Sequence, residues 1–216
     1  MKKIISYIYP VTKKIKTDKN GLVEITYYNG KKILDSANAN YSYGNLQKVL
    51  KFGLNKVNFN SINDILILGL GAGSVIETIR HDFHSKASIT AVEIDAKIID
   101  IAYLEFNLND FSGCNIICDD AYQFINNTSL KFDLIVIDLF IDENPPLFLQ
   151  DMAFWERIHF ITNNHAYIIY NSSMKQDKTK ESKEISAYIN QEFKTQMYGK
   201  VENANTVYVM QKINQA

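Results

Sequence analysis

The chain is poor in the residues that cross-link, break or anchor a polypeptide. In 216 residues there are two cysteines, three prolines and one tryptophan. Cys114 and Cys118 fall in one apparent strand, on the same face but roughly 13 Å apart along an extended backbone, too far for a disulfide. They read as core residues of a reducing compartment. An excess of one charge is missing too: 23 basic residues against 24 acidic ones leave a net charge of -1, which provides no field for a polyphosphate backbone or an anionic membrane. Neither nucleic acid nor membrane is therefore expected as a partner. Long apolar runs are absent. The first residues, MKKIISYIYP, are positively charged but lack an apolar stretch of signal-peptide length, and no later segment is long enough to span a bilayer, so a cytoplasmic location is expected. No low-complexity tract, linker or internal repeat interrupts the chain. What is present is a composition that is 46% hydrophobic and 22% charged, enough for one sizeable core without metals or disulfides.

Two rhythms divide the sequence. Residues 3 to 9, 11 to 17, 22 to 28 and 31 to 35 are rich in Ile, Val, Thr and Tyr and are punctuated by Pro10, Asn20-Gly21 and Asn29-Gly30, the pattern of an antiparallel meander with hairpin turns. SYGNLQKVLKFGL then changes to helical spacing, with Ser42 available as its cap. From residue 64, short apolar runs alternate with amphipathic segments: DILILGLG then 74 to 83, ASITAVEI then 96 to 107, NIICDD then 120 to 126, FDLIVIDLF then 147 to 160, AYIIYNSS then 178 to 193. KTQMYGKV and TVYVMQKI, joined by the polar ENAN, read as a closing hairpin. The expected fold is α/β, a doubly wound, mostly parallel seven-stranded sheet of the Rossmann-like class I methyltransferase type. The expected division is a small N-terminal antiparallel β domain over 1–44 and the Rossmann domain over 45–216.

Three strand ends carry chemistry. ILILGLGAGS places Gly69, Gly71 and Gly73 where the first parallel strand turns into a helix, so that backbone amides can approach a ligand. Glu93 ends the second strand, where a carboxylate can accept from both hydroxyls of a ribose. Asp119 and Asp120 end the third strand, beside the position of an adenine amino group. All three converge on one crevice at the carboxyl edge of the sheet, the place for an adenosine moiety. A nicotinamide dinucleotide is disfavoured, because its turn needs G-x-G-x-x-G and the third glycine here comes one residue early. The fourth strand ends in Asp138, followed by Asp142 and by Pro145-Pro146.

The succession LDS, NYSYG, LILGLGAGS, AVEID, DDAYQFI and FDLIVIDLF resembles the spermidine synthase family of polyamine aminopropyltransferases, over about residues 20 to 212. The resemblance implies that Glu93 holds the ribose, that Asp120 holds the adenine amino group, and that Asp138 is the aspartate receiving a proton from the attacking amine. It implies a cofactor-contacting set of Gly69, Leu70, Gly71, Ala72, Gly73, Glu93, Ile94, Asp119, Asp120, Ala121 and Asp138. It also implies a substrate side of Tyr41, Tyr43, Phe140 and Asp142, and a homodimer formed through the N-terminal domain. Departures from the family pattern bear on specificity. Its glycine loop carries an aspartate that pairs with the amino group of decarboxylated S-adenosylmethionine, and Ala72 stands there instead. Its D-S-x-D-P segment is DLFIDENPP here, so Asp142 comes one residue late and the serine is gone. Gly44 and Asn45 replace a polar pair beside Tyr43.

The function favoured by these residues is an S-adenosylmethionine-dependent transferase moving a methyl group to a small substrate. Two alternatives stand beside it: aminopropyl transfer to a diamine with decarboxylated S-adenosylmethionine, and a nucleoside-binding module without catalysis. The prolines at 145 and 146 read as the end of a loop opening a helix. His81 and His84, with no third ligand placed near them, suit a helix C-terminus and leave no metal expected. Trp155 and Ile158 mark a helix face that packs on the sheet.

Overall fold

A computed structural model describes residues 2–36, 40–140, 145–172, 180–203 and 205–213, with the backbone alone for Lys2, Lys3, Asn40 and Tyr41. After a short helix α1 (Lys2–Ile5), strands β1 (Val11–Lys16), β2 (Leu22–Tyr28), β3 (Lys31–Ser36) and β4 (Asn40–Ser42) form an antiparallel sheet in sequence order. The Asn29-Gly30 turn has the two positive φ values, 48° and 73°, that a tight two-residue hairpin loop requires. The strand expected over 3 to 9 is not formed. Ser6 is instead buried against the β2–β3 turn, where its carbonyl accepts from Asn29 N and its hydroxyl from Gly30 N, each at 3.0 Å. A chain spent on those turn amides cannot also extend the sheet.

Helix α2 (Gly44–Leu54) leads to the second sheet, built from β5 (Asp64–Leu68), α3 (Ser74–His81), β6 (Ser88–Glu93), α4 (Ala96–Phe106), β7 (Cys114–Cys118), α5 (Ala121–Asn127), β8 (Phe132–Ile137), α6 (Met152–Ile161), β9 (Thr162–Ser172), α7 (Lys180–Glu192), β10 (Phe193–Val201) and β11 (Asn205–Lys212). Its seven strands run in the order β10-β11-β9-β8-β5-β6-β7. The strands from β7 to β9 pair in parallel, while β11 pairs antiparallel with both β9 and β10. The central strands are apolar on both faces because both are covered. Ile65, Ile67, Leu134 and Val136 enter one core with α2 and α3, and the alternate residues Leu66, Leu68, Ile135 and Ile137 enter a second with Phe154, Trp155 and Ile158 of α6. No helix among the described residues is long and apolar enough to cross a membrane.

Several sequence expectations change locally. The segment from 147 divides into a 3-10 turn over Leu147–Gln150 and α6, and β9 begins earlier than expected, at Thr162. Ser42 does not cap α2; its hydroxyl donates to Ser74 Oγ at 3.1 Å, tying β4 to the start of α3. Cys114 is only partly buried and Cys118 is exposed, because β7 lies at the sheet edge and, among the described residues, has a partner strand on one side alone.

Candidate functional site

Strand β5 lies where the sheet reverses direction, with β6 and β7 added on one side and β8 and β9 on the other. Each strand end in this region is locked to its neighbour by one bond beyond the regular strand: Asp138 N to Leu68 O at 2.9 Å, Gly69 N to Val92 O at 2.9 Å, and Asp119 N to Glu93 O at 3.1 Å. These bonds bring Asp138, the glycine loop, Glu93 and Asp119 together along one edge.

The glycine loop bridges the two carboxylates. Gly69 has φ +91°, and a Cβ there would lie 2.1 Å from the carbonyl oxygen of Asp138, so only glycine lets β8 end beside the loop. On the other side, Gly71 N donates to Glu93 Oε2 at 3.1 Å, while Asp95 N donates to Oε1 at 3.1 Å. Glu93 is 4% exposed. Burial pushes its carboxyl up to about 7, against the pull of those backbone donors. Gly73 caps α3 in the left-handed region with φ 89° and no side chain to fill the first turn's amides.

The remaining candidates divide between backbone and side-chain roles. Leu70, Ala72 and Ala121 turn their side chains into the cores, so any contact they make with a ligand falls to the backbone, where the Leu70 carbonyl already accepts from Gly73 N at 3.1 Å. Ile94 is an exposed apolar residue directly after Glu93. Asp120 caps α5, its Oδ1 accepting from Gln123 N at 3.0 Å, and Asp119 Oδ1 accepts from Asp120 N at 2.8 Å. Asp138 is half-buried, and burial pushes its carboxyl up to about 6 against a hydrogen bond from Asn171.

Among the residues expected on the substrate side, Tyr43 adopts φ 70° and ψ -167°, a strained conformation for a residue with a Cβ. Its ring stacks on Phe106 with centroids 4.9 Å apart. Burial, then the Glu77 carboxylate and a hydrogen bond to it, hold its phenol well above the ordinary tyrosine range, so it stays a neutral donor. Phe140 is half-buried one residue beyond Leu139. Phe148 belongs to the second core, packed between Tyr122 and Phe154. Asp142 and the Tyr41 side chain lie outside the described residues.

Residues 49–210 match the family described as the spermine/spermidine synthase domain. The chain belongs to the spermine/spermidine synthase family. A polyamine aminopropyltransferase of Sulfurisphaera tokodaii is 34% identical over 114 residues, 49% of this chain and 37% of that protein. The Buchnera aphidicola protein of the same description, from the subspecies of Acyrthosiphon pisum, is 34% identical over 110 residues, with the same 49% and 37% covered. The chain thus matches well under half the length of these curated relatives. Among solved structures, a probable spermidine synthase from Corynebacterium glutamicum aligns with a TM-score of 0.65 at 16% identity, covering 96% of this chain and 78% of that one. Human methyltransferase-like protein 13, in complex with SAH, aligns with a TM-score of 0.62 at 20% identity, covering 80% and 84%. At these identities the structural likeness is one of fold.

Within this spermine/spermidine synthase framework, the departure at position 72 has a structural counterpart. Ala72 is 1% exposed and packs with Val23, Ile25 and Leu34 of the N-terminal sheet and with Ile98, Ile101 and Phe106 of α4. Sequence reasoning missed two supports of the site. Asp95, fully buried, accepts from Lys19 N, Asn20 N and Asn20 Nδ2 at 2.8, 3.1 and 3.1 Å, and so staples the β1–β2 turn next to Glu93. Its signal was an acid directly before a helix. Asn171 donates to Asp138 Oδ1 at 2.7 Å; its signal was a polar residue ending the apolar run AYIIY, the same cue that marked Glu93 and Asp138.

Proposed function

We propose that the chain is a group transferase that uses an adenosyl sulfonium cofactor of the S-adenosylmethionine type. The observation that carries this reading is the glycine loop joining two raised carboxyls, with Gly69 against the Asp138 carbonyl and Gly71 N on Glu93. The residues fit such a group. Glu93 keeps acceptor capacity for two ribose hydroxyls beyond the bonds from Gly71 and Asp95, Asp120 Oδ2 is left for an adenine amino group, and the amides at the start of α3 face a strand-to-helix turn without a side-chain cap. When bound, the cofactor supplies a sulfonium-activated carbon. The protein's part is to hold the nucleophile and take its proton. An amine reaches the site as an ammonium ion and must lose a proton to expose its lone pair, and Asp138, with its carboxyl raised to about 6, is ionised at neutral pH and matched to that transfer.

Methyl transfer from the intact cofactor is favoured by the surroundings of residue 72. A decarboxylated cofactor brings an amine with no carboxylate of its own, and the buried methyl of Ala72 offers it no counter-charge. The family match over residues 49–210 favours a second reading, aminopropyl transfer to a diamine. Calorimetric titration with S-adenosylmethionine, its decarboxylated form and methylthioadenosine separates the two. Preference for the intact form by tenfold or more, which is about 1.4 kcal/mol, supports methyl transfer. Preference for the decarboxylated form supports the aminopropyl reading, and no binding of any of the three overturns both.

A further inference from the structure

Asp138 is steadied by amides, and the chain of contacts continues past its immediate neighbour. Asn171 Nδ2 donates to Asp138 Oδ1 at 2.7 Å, and Asn171 Oδ1 accepts from Asn205 Nδ2, again at 2.7 Å. Asn171 lies in β9 and is 1% exposed, while Asn205 opens β11 from the closing hairpin. The antiparallel register that pairs Thr206 with Ser172 brings the two amides side by side. The two bonds therefore run from the tail of the fold to the end of β8.

A primary amide can turn either end toward a carboxyl group. Its NH2 suits a carboxylate, which only accepts; its carbonyl suits a protonated acid, which must donate. For a buried amide, the choice also depends on which end its second partner presents, and here Asn205 presents its NH2. We infer that Asn205 is a positioning residue for Asp138: by donating to Asn171 Oδ1 it occupies the carbonyl of Asn171 and keeps the NH2 of Asn171 facing the Asp138 carboxylate. This inference rests on the reading of Asp138 as the proton acceptor. Among the described residues, the ionisable groups level with Asp138 on the neighbouring elements are Glu93 on β6, Asp119 after β7, Tyr170 on β9 and Tyr208 on β11, while Asp64 on β5, Asp133 on β8, His165 and Tyr167 on β9 and Lys212 on β11 lie further toward the opposite ends of the strands. None of them moves the carboxyl of Asp138, whose position is set by burial, which raises it, and by the Asn171 bond, which lowers it. If the amide turns over, the lowering influence is lost, and the carboxylate fraction at neutral pH falls.

The test uses Asn205→Ala, which releases the Asn171 carbonyl, and Asn205→Asp, which demands the NH2 for itself. The carboxyl carbon of Asp138, assigned with Asp138→Asn, is titrated by NMR in each folded protein. In parallel, the pH profile of turnover is followed by release of S-adenosylhomocysteine or methylthioadenosine. The expected result is an upward move of the Asp138 midpoint by about one pH unit in Asn205→Asp and by less in Asn205→Ala. The acid limb of the rate should move by the same amount, with cofactor affinity within about twofold of wild type. A charge at 205 acting through space would persist without the amide, so the effect of Asn205→Asp should vanish in an Asn171→Ala background. An unchanged midpoint in both single variants overturns the inference, as does an equally large shift in the Asn171→Ala background. If the midpoint moves as expected but Asp138→Asn keeps full turnover, the relay stands and the assignment of Asp138 as base falls.

Discussion

At Glu93, burial and ligand recognition act on the same proton. The carboxyl is pushed up to about 7, yet only its ionised form can accept from both hydroxyls of a ribose. Binding of an adenosyl ligand should therefore release a proton below about pH 7. Affinity should rise as pH climbs from 5.5 to 7.5 and level off above. Calorimetry in two buffers of different ionisation enthalpy reads this release directly, and equal heats in both at pH 6 would remove Glu93 from the ribose. Glu93→Gln should abolish the pH dependence and weaken adenosyl ligands by at least tenfold at pH 8, since hydrogen bonds to a charged group contribute about 1.5 to 3 kcal/mol. Asp138 calls for a different signature. Asp138→Asn preserves the size of the side chain and an acceptor for Asn171, so cofactor affinity should barely change while the rate at saturation falls by roughly 10²-fold. Retained turnover with a lowered melting temperature would make Asp138 a structural residue of the loop.

Among the elements, the junction of β5, β8 and the glycine loop has the least tolerance. Gly69→Ala places a Cβ 2.1 Å from the Asp138 carbonyl at φ +91°, so the end of β8 or the loop must move. Gly21 provides the comparison: it has φ +67° in the β1–β2 turn, but a Cβ there meets nothing within 4 Å. Gly21→Ala should carry only the backbone strain, about 1 to 3 kcal/mol, whereas Gly69→Ala should lose clearly more in calorimetric unfolding and also weaken adenosyl binding. Equal losses at the two positions would refute the close approach as the reason for glycine. The parallel strands were legible because a strand covered on both faces needs an unbroken apolar run, and the polar residue that ends such a run, Glu93 or Asp138, marks the edge that carries the candidate site. Strand order was not legible. Nothing local in ENAN shows that β11 lies between β9 and β10, so the contact of Asn205 with Asn171 could not be foreseen. Residues 3 to 9 have strand composition, yet the bonds of Ser6 to a distant turn decide their path. Edge position, equally invisible in sequence, exposes Cys118.

Over the whole molecule, the N-terminal sheet and the site share both packing and charge. Val23, Ile25 and Leu34 close over Ala72 of the glycine loop, and Asp95 ties the β1–β2 turn to the residue pair beside Glu93. The unliganded fold should consequently report the titration of its site carboxyls. Glu93 and Asp138 are raised to about 7 and about 6 from ordinary values of 4.5 and 3.8, so the folded state holds their protons more tightly than the unfolded chain. Their contribution to stability is fully present below the ordinary values and is lost as pH rises through 6 and 7. Asp95 works the other way. Burial pushes its carboxyl up, but donors led by Lys19 N outweigh that and hold it below the usual range, so its contribution is present at neutral pH and lost only in acid. Together these groups place the stability maximum of the ligand-free protein on the acid side of neutrality. Between pH 5.5 and 8 the melting temperature should fall by on the order of 5 °C or more. The Glu93→Gln, Asp138→Asn double variant should flatten that slope while leaving the acid limb in place. A saturating adenosyl ligand should stabilise the wild-type protein more at pH 8 than at pH 5.5, because it binds the ionised form of Glu93. A melting temperature that rises from pH 5.5 to 8, with the double variant following the same curve, would mean that burial does not raise either carboxyl in the folded protein.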